Sequence, residues 1–216
     1  MEISIAKGVL CDNDILSELE MGNIIIHPFN KQHLANCSYD ITLGENYYRS
    51  NPKMTQLNPW NENQIKEYWG EYLKANTASK ENAEQLGLSV GDKFIRILPG
   101  ELILAHTNEF IGGKNHLVTM MKARSSLMRS CICTCSAAGW GDVGFCSKWT
   151  MEIYNYSTSV EIILPVGRRV GQIIFLYTGI PSRTYASKGK YQTSDHIQEI
   201  MDTWTPEAML PKLYKD

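Results

Sequence analysis

The chain has 216 residues, of which 43% are hydrophobic and 20% are charged, and its formal net charge at pH 7 is −2. This composition is typical of one globular domain, spanning 1–216, and the lack of a basic excess argues against a nucleic-acid or membrane binder. No apolar run is long enough to span a membrane and no signal-peptide pattern opens the sequence, so we expect a cytoplasmic protein.

The first predicted element is a short helix, which Asp12 or Asn13 can cap. An apolar stripe at helical spacing and a final glycine complete it: Ile15, Leu16, Leu19 and Gly22. The runs 24–26 and 39–43 are rich in β-branched and aromatic residues and therefore predict strands. Gly44 is expected to end the second of these strands.

Residues 51–92 differ from their surroundings, because Asn, Glu, Lys and Gln dominate them. Within this segment apolar and aromatic residues recur at helical spacing: Ile65, Tyr68, Trp69, Tyr72 and Leu73. The pattern predicts an amphipathic helix in an insertion, packed on the main body or on a neighbouring subunit. We expect 76–91 to be a loop that can include a second helical turn.

From residue 93 onward the chain is rich in strand-forming runs separated by turn residues. The predicted strands are 93–97, 101–106, 117–122, 131–136, 149–155, 160–164 and 170–177. Several short strands at this spacing indicate a jelly roll or a related β-barrel, not a parallel α/β sheet. The tail, 178–216, is polar, and we expect it to be irregular and to close over a neighbour's site in an oligomer.

Three of the six cysteines, Cys131, Cys133 and Cys135, alternate with other residues and would share one face of a strand. A zinc site would need C-x-x-C pairs with further His or Cys ligands, which the sequence does not contain. We therefore interpret the three cysteines as small apolar residues of a core face. Disulfides are not expected in the cytoplasm.

The run Arg124-Ser125-Ser126 follows a predicted strand, so two hydroxyls and several turn N–H groups can converge on phosphate oxygens. Arg124 and Arg129 could add charge-assisted contacts to the same phosphates. Such a local cluster suffices for a triphosphate even in a chain of slightly negative charge. The alternative interpretation is a solvated turn with a helix cap.

Glu152 lies in a strand whose alternation places Trp149, Met151 and Ile153 on the opposite face. Its carboxylate therefore either faces solvent on an outer sheet or points into a pocket. Asp142 lies in a glycine-flanked bend, where aspartate is common for structural reasons alone.

Gln172 is the polar residue of a predicted strand, and its amide could read a base edge because it both donates and accepts hydrogen bonds. In the tail, Lys188 and Lys190 could serve a phosphate and Tyr191 a stacking surface. Taken one at a time, all of these are also ordinary surface residues.

Together these segments resemble the dCTP deaminase branch of the dUTPase superfamily, over most of the chain except 51–92. The resemblance runs through G-V-L-C-D-N-D-I at 8–15, N-C-S-Y-D-I-T-L-G at 36–44, the P-G-E turn at 99–101, R-S-S-L-M-R at 124–129 and K-Y-Q at 190–192. Glu152 lies at the position of the family's catalytic glutamate, with matching spacing from the serines.

The resemblance implies a mainly β, dUTPase-like distorted jelly-roll β-barrel with a short N-terminal helix and a helical insertion. It also implies a homotrimer with active sites between subunits, and Mg²⁺ held through the triphosphate of dCTP or dUTP without direct protein ligands. Glu152 would be the general base and acid that activates a water for attack at C4 of cytosine. Ser125 and Arg129 would orient the water and the base.

The resemblance further implies a set of substrate contacts. The residues assigned to phosphates and sugar are Arg124, Ser126, Tyr185 and Lys190, and backbone groups near Ala138 and Thr150 would read the pyrimidine. The other expected contacts are Leu127, Met128, Trp140, Met151 and Gln172.

Two details resemble the bifunctional enzymes that also convert dUTP to dUMP. Deaminases that stop at dUTP carry A-H-R-x-D before the catalytic strand, whereas residues 138–142 read A-G-W-G-D, and 169–172 read R-V-G-Q. In that interpretation Asp142 places a second water for attack on the α-phosphorus, with magnesium balancing charge on the phosphates.

Three departures from the family pattern leave alternatives open: Ala123 replaces a Gly, Ala137 a Thr and Ser194 a second tail Gln, although Gln192 keeps the first. One alternative is a dUTPase without deaminase activity, which Asp142 and Gln172 would suit. The other is a trimeric nucleotide-sensing module that has lost turnover.

Overall fold

Antiparallel strands are the main regular elements of the computed structural model, which describes residues 8–187 and 189–216. The strands are β1 (Ile24–His27), β2 (Leu34–Ala35), β3 (Ser38–Arg49), β4 (Leu73–Lys74), β5 (Asn76–Thr77), β6 (Lys93–Ile97), β7 (Leu102–Gly113), β8 (Leu117–Ala123), β9 (Ile132–Cys133), β10 (Trp140–Gly141), β11 (Cys146–Asn155), β12 (Ile162–Pro165) and β13 (Arg169–Tyr177). The α-helices are α1 (Asp12–Glu20), α2 (Glu62–Trp69), α3 (Ala83–Leu86), α4 (Ser125–Arg129) and α5 (Ile197–Thr203). Short 3₁₀ turns cover Lys31–His33, Tyr185–Ser187, Pro206–Met209 and Leu213–Lys215.

A ten-stranded antiparallel sheet curls around the core in the order β10-β8-β13-β3-β7-β11-β9, with β1 on β7 and with β2 and β4 on β3. A second sheet, β12-β6-β5, has three strands. The largest buried cluster lies between them and contains Ile41, Ile103, Met151, Ile153 and Phe175, among others. The prediction of a mainly β barrel is therefore confirmed. None of the helices in the described ranges is long and apolar enough to cross a membrane.

The predicted limits of several elements were wrong. The first helix is present, but Cys11 takes the N-cap position, so Asp12 and Asn13 lie inside its first turn. The strand predicted for 39–43 continues to Arg49, because Gly44 leaves room for the His106 ring instead of ending the strand. A side chain at 44 would overlap that ring.

The strand predicted for 131–136 is reduced to the two residues of β9. Cys131 has φ 61°, in the left-handed region, and this breaks the extended backbone at the start of the run. Consequently the three cysteines do not share a core face: Cys131 is exposed, Cys133 is buried and Cys135 is half-buried. All six cysteines are free thiols.

The insertion contains the predicted helix, α2, and it packs on the main body of its own chain. Ile65 and Trp69 are buried against Tyr48 and Leu104. The helix ends at Gly70, whose φ is 62°, so the prediction that Tyr72 and Leu73 continue the helical stripe was wrong. Leu73 instead starts β4, which pairs with β3. The second helical turn is α3.

The tail is partly ordered, because short helical segments interrupt its irregular stretches, and the expectation of irregular structure was wrong for these segments. It contains α5 and the 3₁₀ turn Pro206–Met209, and it lies on its own chain. Met209 is buried in the same cluster as Trp69 and Leu104. The insertion and the tail thus meet over the outer face of β7.

Candidate active site

The alternation predicted for β11 is confirmed. Trp149, Met151 and Ile153 are buried in the barrel core, whereas Thr150 and Glu152 face the other side and are half-buried. Directly opposite residues on paired strands point to the same face of a sheet.

Strand register places an apolar residue beside the carboxylate. Glu152 pairs with Leu104 on β7, and Leu104 pairs with Tyr48 on β3. These three side chains form a row across β11, β7 and β3. The insertion and the tail cover the Leu104 end of this row, with Trp69 and Met209 packed on Leu104 and Tyr48.

Glu152 lines a cavity of about 480 Å³. Its polar lining comes from the bend before β11 and from β11 itself: Asp142, Ser147, Lys148, Thr150 and Glu152. Its aromatic lining includes Trp140, Phe145, Tyr185 and Tyr191. We call the remaining side the apolar wall, defined by Trp69, Leu102, Leu104, Met209 and Pro211.

Burial in this cavity raises the pKa of the Glu152 carboxyl, and a hydrogen bond from its own backbone N–H opposes the shift only in part. A carboxyl group whose pKa moves toward neutrality is better suited to accept a proton and to return it at neutral pH. The raised pKa follows from the apolar neighbours because removing water disfavours the charged form.

The glycine-rich bend fits closely against the barrel. Trp140 and Gly141 pair with β8, and a side chain at 141 would overlap the Trp149 ring. Trp140 Nε1 donates to Asp142 Oδ1 at 3.1 Å, while the Asp142 carboxylate stays exposed at the cavity mouth. The bend therefore places the solvent-exposed carboxylate of Asp142 at the edge of the cavity that contains Glu152.

Lys148 was not expected at the site from the sequence. Its ammonium lies 5.3 Å from the centre of the Phe110 ring and 4.8 Å from that of Trp204, on the tail. Burial lowers the pKa of Lys148, although the carboxylates of Glu109 and Glu45 oppose this shift. The sequence signal that could have identified Lys148 as a site residue is a lysine beside the strand that carries Glu152. No local sequence signal identified Trp69, Leu104 or Met209 as residues of the cavity.

The R-S-S-L-M-R segment lies outside the cavity of its own chain. It forms α4, on which Ser125, Ser126 and Arg129 are exposed. Met128 is also exposed, while Leu127 packs against the main core.

Next to α4 a buried carboxylate holds two arginines. Asp40 Oδ2 lies 3.0 Å from Arg169 Nη1 and 3.8 Å from Arg124 Nη2. Gln172 lies between Asp40 and Lys122 in the register of β3, β13 and β8. We call Asp40, Arg124, Arg169 and the exposed residues of α4 the arginine cluster. The described part of the chain therefore keeps the predicted residues in two separate groups.

The other predicted contacts differ in accessibility. Ala138, Trp140, Thr150 and Tyr185 line the cavity, so their placement suits the assigned roles. The Met151 side chain is fully buried in the barrel core, which leaves only its backbone able to meet a ligand. Lys190 forms an ion pair with Asp216. Lys188, also considered for a phosphate, lies outside the described residues.

Gln192 has a structural role that the sequence did not predict. Its Oε1 accepts from the backbone N–H of Cys146 at 2.7 Å, and its Nε2 donates to the carbonyl oxygens of Gly144 and Ser194, each at 2.8 Å. The side chain is buried, so the amide fixes the tail to the start of β11 and does not face the cavity.

Comparison with known proteins identifies the family of this chain. Residues 9–178 match the family model described as dCTP deaminase-like. The "dCTP deaminase, dUMP-forming" of Methanococcus aeolicus is 31% identical over 175 residues, covering 81% of this chain and 86% of that protein. The protein of the same name from Methanocaldococcus jannaschii is 31% identical over 192 residues, covering 86% of this chain and 93% of that one.

The crystal structure of 2'-deoxycytidine 5'-triphosphate deaminase from Agrobacterium tumefaciens matches 80% of this chain with a TM-score of 0.53 at 14% identity. The match spans about half of that longer chain, 49% of its length. This structural likeness confirms the predicted mainly β barrel fold. Because the family model covers most of the sequence, the chain belongs to the dCTP deaminase-like family.

Proposed function

We propose that this protein is a dCTP deaminase that also converts its product to dUMP. The observation that carries the proposal is the Glu152 carboxylate, held half-buried in a cavity at the position of the family's catalytic glutamate. The names of the two methanogen relatives support the same activity.

In the deamination step Glu152 accepts a proton from a water as its oxygen bonds to C4 of cytosine. The protonated carboxyl group then returns that proton to the amine at C4, the C–N bond breaks, and ammonia leaves. The second proton of the water moves from the C4 oxygen to N3, which gives the uracil ring. The overall change is dCTP plus water to dUTP plus ammonia. Partial removal of water from Glu152 serves both halves of this cycle, because it brings the affinities of the carboxylate and the reacting groups for the proton closer together.

In the second step Asp142 orients a water toward the α-phosphorus, giving dUMP and pyrophosphate. Its exposed carboxylate at the cavity mouth, fixed by Trp140, suits this role. Among the described residues no group of three or more His, Cys, Asp and Glu could enclose a metal ion. In this proposal the triphosphate itself holds the magnesium ion, without direct protein ligands. Bound magnesium would offset the phosphate charge.

We further propose a homotrimer in which each cavity is completed by the arginine cluster of a neighbour. Ser125 and Arg129 are exposed and lie outside the cavity of their own chain, whereas the roles that the family resemblance implies for them would require them near the base. In a closed ring of three subunits, the partner subunit's Ser125 and Arg129 would reach the cavity that contains Glu152.

Incubation with dCTP and magnesium, followed by separation of the nucleotides, tests the activity. Formation of dUMP and pyrophosphate supports the full proposal, and accumulation of dUTP restricts it to deamination. Rapid cleavage of dUTP with inert dCTP would instead identify a dUTPase. Tight binding of both nucleotides without any product would indicate a nucleotide-sensing module.

A further inference from the structure

The lining of the cavity around Glu152 is chemically divided. Hydrogen-bonding groups come from the bend at 138–142 and from β11, including Ser147 and Thr150. The apolar wall lies across the strand pair, starting at Leu104, the direct β7 partner of Glu152. The Glu152 carboxylate therefore lies at the boundary between the polar lining and the apolar wall.

The cytosine ring is divided in the same way around the atom that reacts. C4 has two ring neighbours: N3, which accepts hydrogen bonds, and C5, which carries only hydrogen. A base with C4 at Glu152 and N3 at the polar lining presents its C5 edge to the apolar wall. The reverse orientation would leave N3 without a hydrogen-bond partner against leucine, at considerable cost in binding free energy.

The apolar wall is assembled from three parts of the chain. It combines side chains from β7, from the insertion and from the tail, and its outer members pack on one another as well as on the barrel. Met209 brings a flexible thioether, which adapts to irregular shapes better than a branched side chain does.

We propose that the apolar wall forms a subsite for a methyl-sized substituent at C5 of the cytosine, so that the enzyme deaminates 5-methyl-dCTP as well as dCTP. This inference rests on the proposed function. The reaction is 5-methyl-dCTP plus water to dTTP plus ammonia, with the same bonds made and broken at C4. The second step would then give dTMP and pyrophosphate.

The first test compares kcat/KM for ammonia release from dCTP and from 5-methyl-dCTP with the wild-type protein. We expect the two values to agree within about tenfold, since one methyl group in an apolar pocket has an effect of this order. Turnover of dCTP with inert 5-methyl-dCTP would overturn the inference and leave the proposed function intact. If dCTP itself were inert, both would fall.

The second test fills the subsite. Leu102 and Leu210 are both half-buried beside the same apolar cluster, but only Leu102 lines the cavity. Leu102→Phe should lower the ratio of kcat/KM for 5-methyl-dCTP to that for dCTP by about tenfold or more. The matched variant Leu210→Phe should leave this ratio unchanged.

Thermal unfolding of both variants establishes that each is folded. Because the readout is a ratio between two substrates of one protein sample, partial loss of folded enzyme does not alter it. An equal ratio in wild type and Leu102→Phe would place the C5 edge away from the apolar wall and overturn the inference.

Discussion

The cavity around Glu152 and the arginine cluster around α4 are two polar regions of one chain with opposite surroundings. Glu152 is covered by the insertion and the tail, whereas Ser125 and Arg129 stand exposed on a five-residue helix. The first region has the burial that general acid–base chemistry needs, and the second presents exposed hydrogen-bond donors. The difference supports the proposal that each chain carries two unlike halves of a site, which a neighbouring subunit would join.

The largest expected effect comes from removing the Glu152 carboxylate from the cavity. Glu152→Gln should lower the rate of ammonia release by about 10³-fold, because the amide cannot accept and return the proton. Calorimetric titration with dCTP should still detect binding, since the amide keeps the shape of the side chain. Deamination near the wild-type rate in this variant would refute the assigned role.

Mixing two inactive variants tests whether the halves come from different subunits. Glu152→Gln and Arg129→Ala should each be inactive alone. After exchange of subunits at equal amounts, about one quarter of the sites of a trimer would pair two intact halves and recover activity. As a control, Glu152→Gln mixed with the Glu152→Gln/Arg129→Ala double variant should stay inactive. Activity in this control would contradict the shared site, and so would a lack of activity in the first mixture.

A smaller and selective effect is expected at the cavity mouth. Asp142→Asn should lower dUMP formation by about 10²-fold while dUTP continues to be released, since only the second water loses its carboxylate. Nucleotide separation over time measures both products. Equal losses of dUTP and dUMP formation would show that Asp142 serves the first step as well.

Burial of the Glu152 carboxylate should also lower the stability of the folded protein at neutral pH. The pKa of Glu152 is raised in the folded protein, so ionisation of this group favours the unfolded chain as pH rises above 4.5. Glu152→Gln should therefore raise the unfolding temperature at pH 7 by a few degrees, but not at pH 4. Arg129→Ala, in the exposed half, should change it at neither pH.

The smallest effect concerns the cover itself. Met209→Ala should admit water to the apolar wall and move the acid limb of the kcat/KM profile toward lower pH, because less burial of Glu152 lowers its raised pKa. The matched variant Met21→Ala, at an exposed position directly after α1, leaves the surroundings of Glu152 unaltered and should not move that limb. A limb that stays in place in Met209→Ala would mean that other neighbours keep Glu152 desolvated.

Period and spacing within one segment allowed much of the barrel and part of the site to be predicted. The alternation around Glu152 indicated the correct face of β11, and the helical spacing of Ile65 and Trp69 indicated α2. Both depend only on local backbone geometry, which sequence pattern reports directly.

Features that depend on distant partners could not be predicted in this way. The row from Tyr48 to Glu152 follows from strand register, and the apolar wall requires Trp69 and Met209 to meet across 140 residues of chain. The wrong assignments at Tyr72 and at 131–136 share one cause, since single residues with positive φ, Gly70 and Cys131, interrupted patterns that otherwise looked continuous.

The amide of Gln192 has a consequence for the thermodynamics of binding. By hydrogen bonding the backbone at Gly144 and Cys146, it fixes the tail on the barrel without any ligand. The conformational entropy of ordering this segment is therefore lost during folding and need not be lost again when nucleotide arrives. Affinity gained in this way depends on an interaction that never contacts the nucleotide, and Gln192→Ala would reveal it as weaker binding with a more unfavourable entropy.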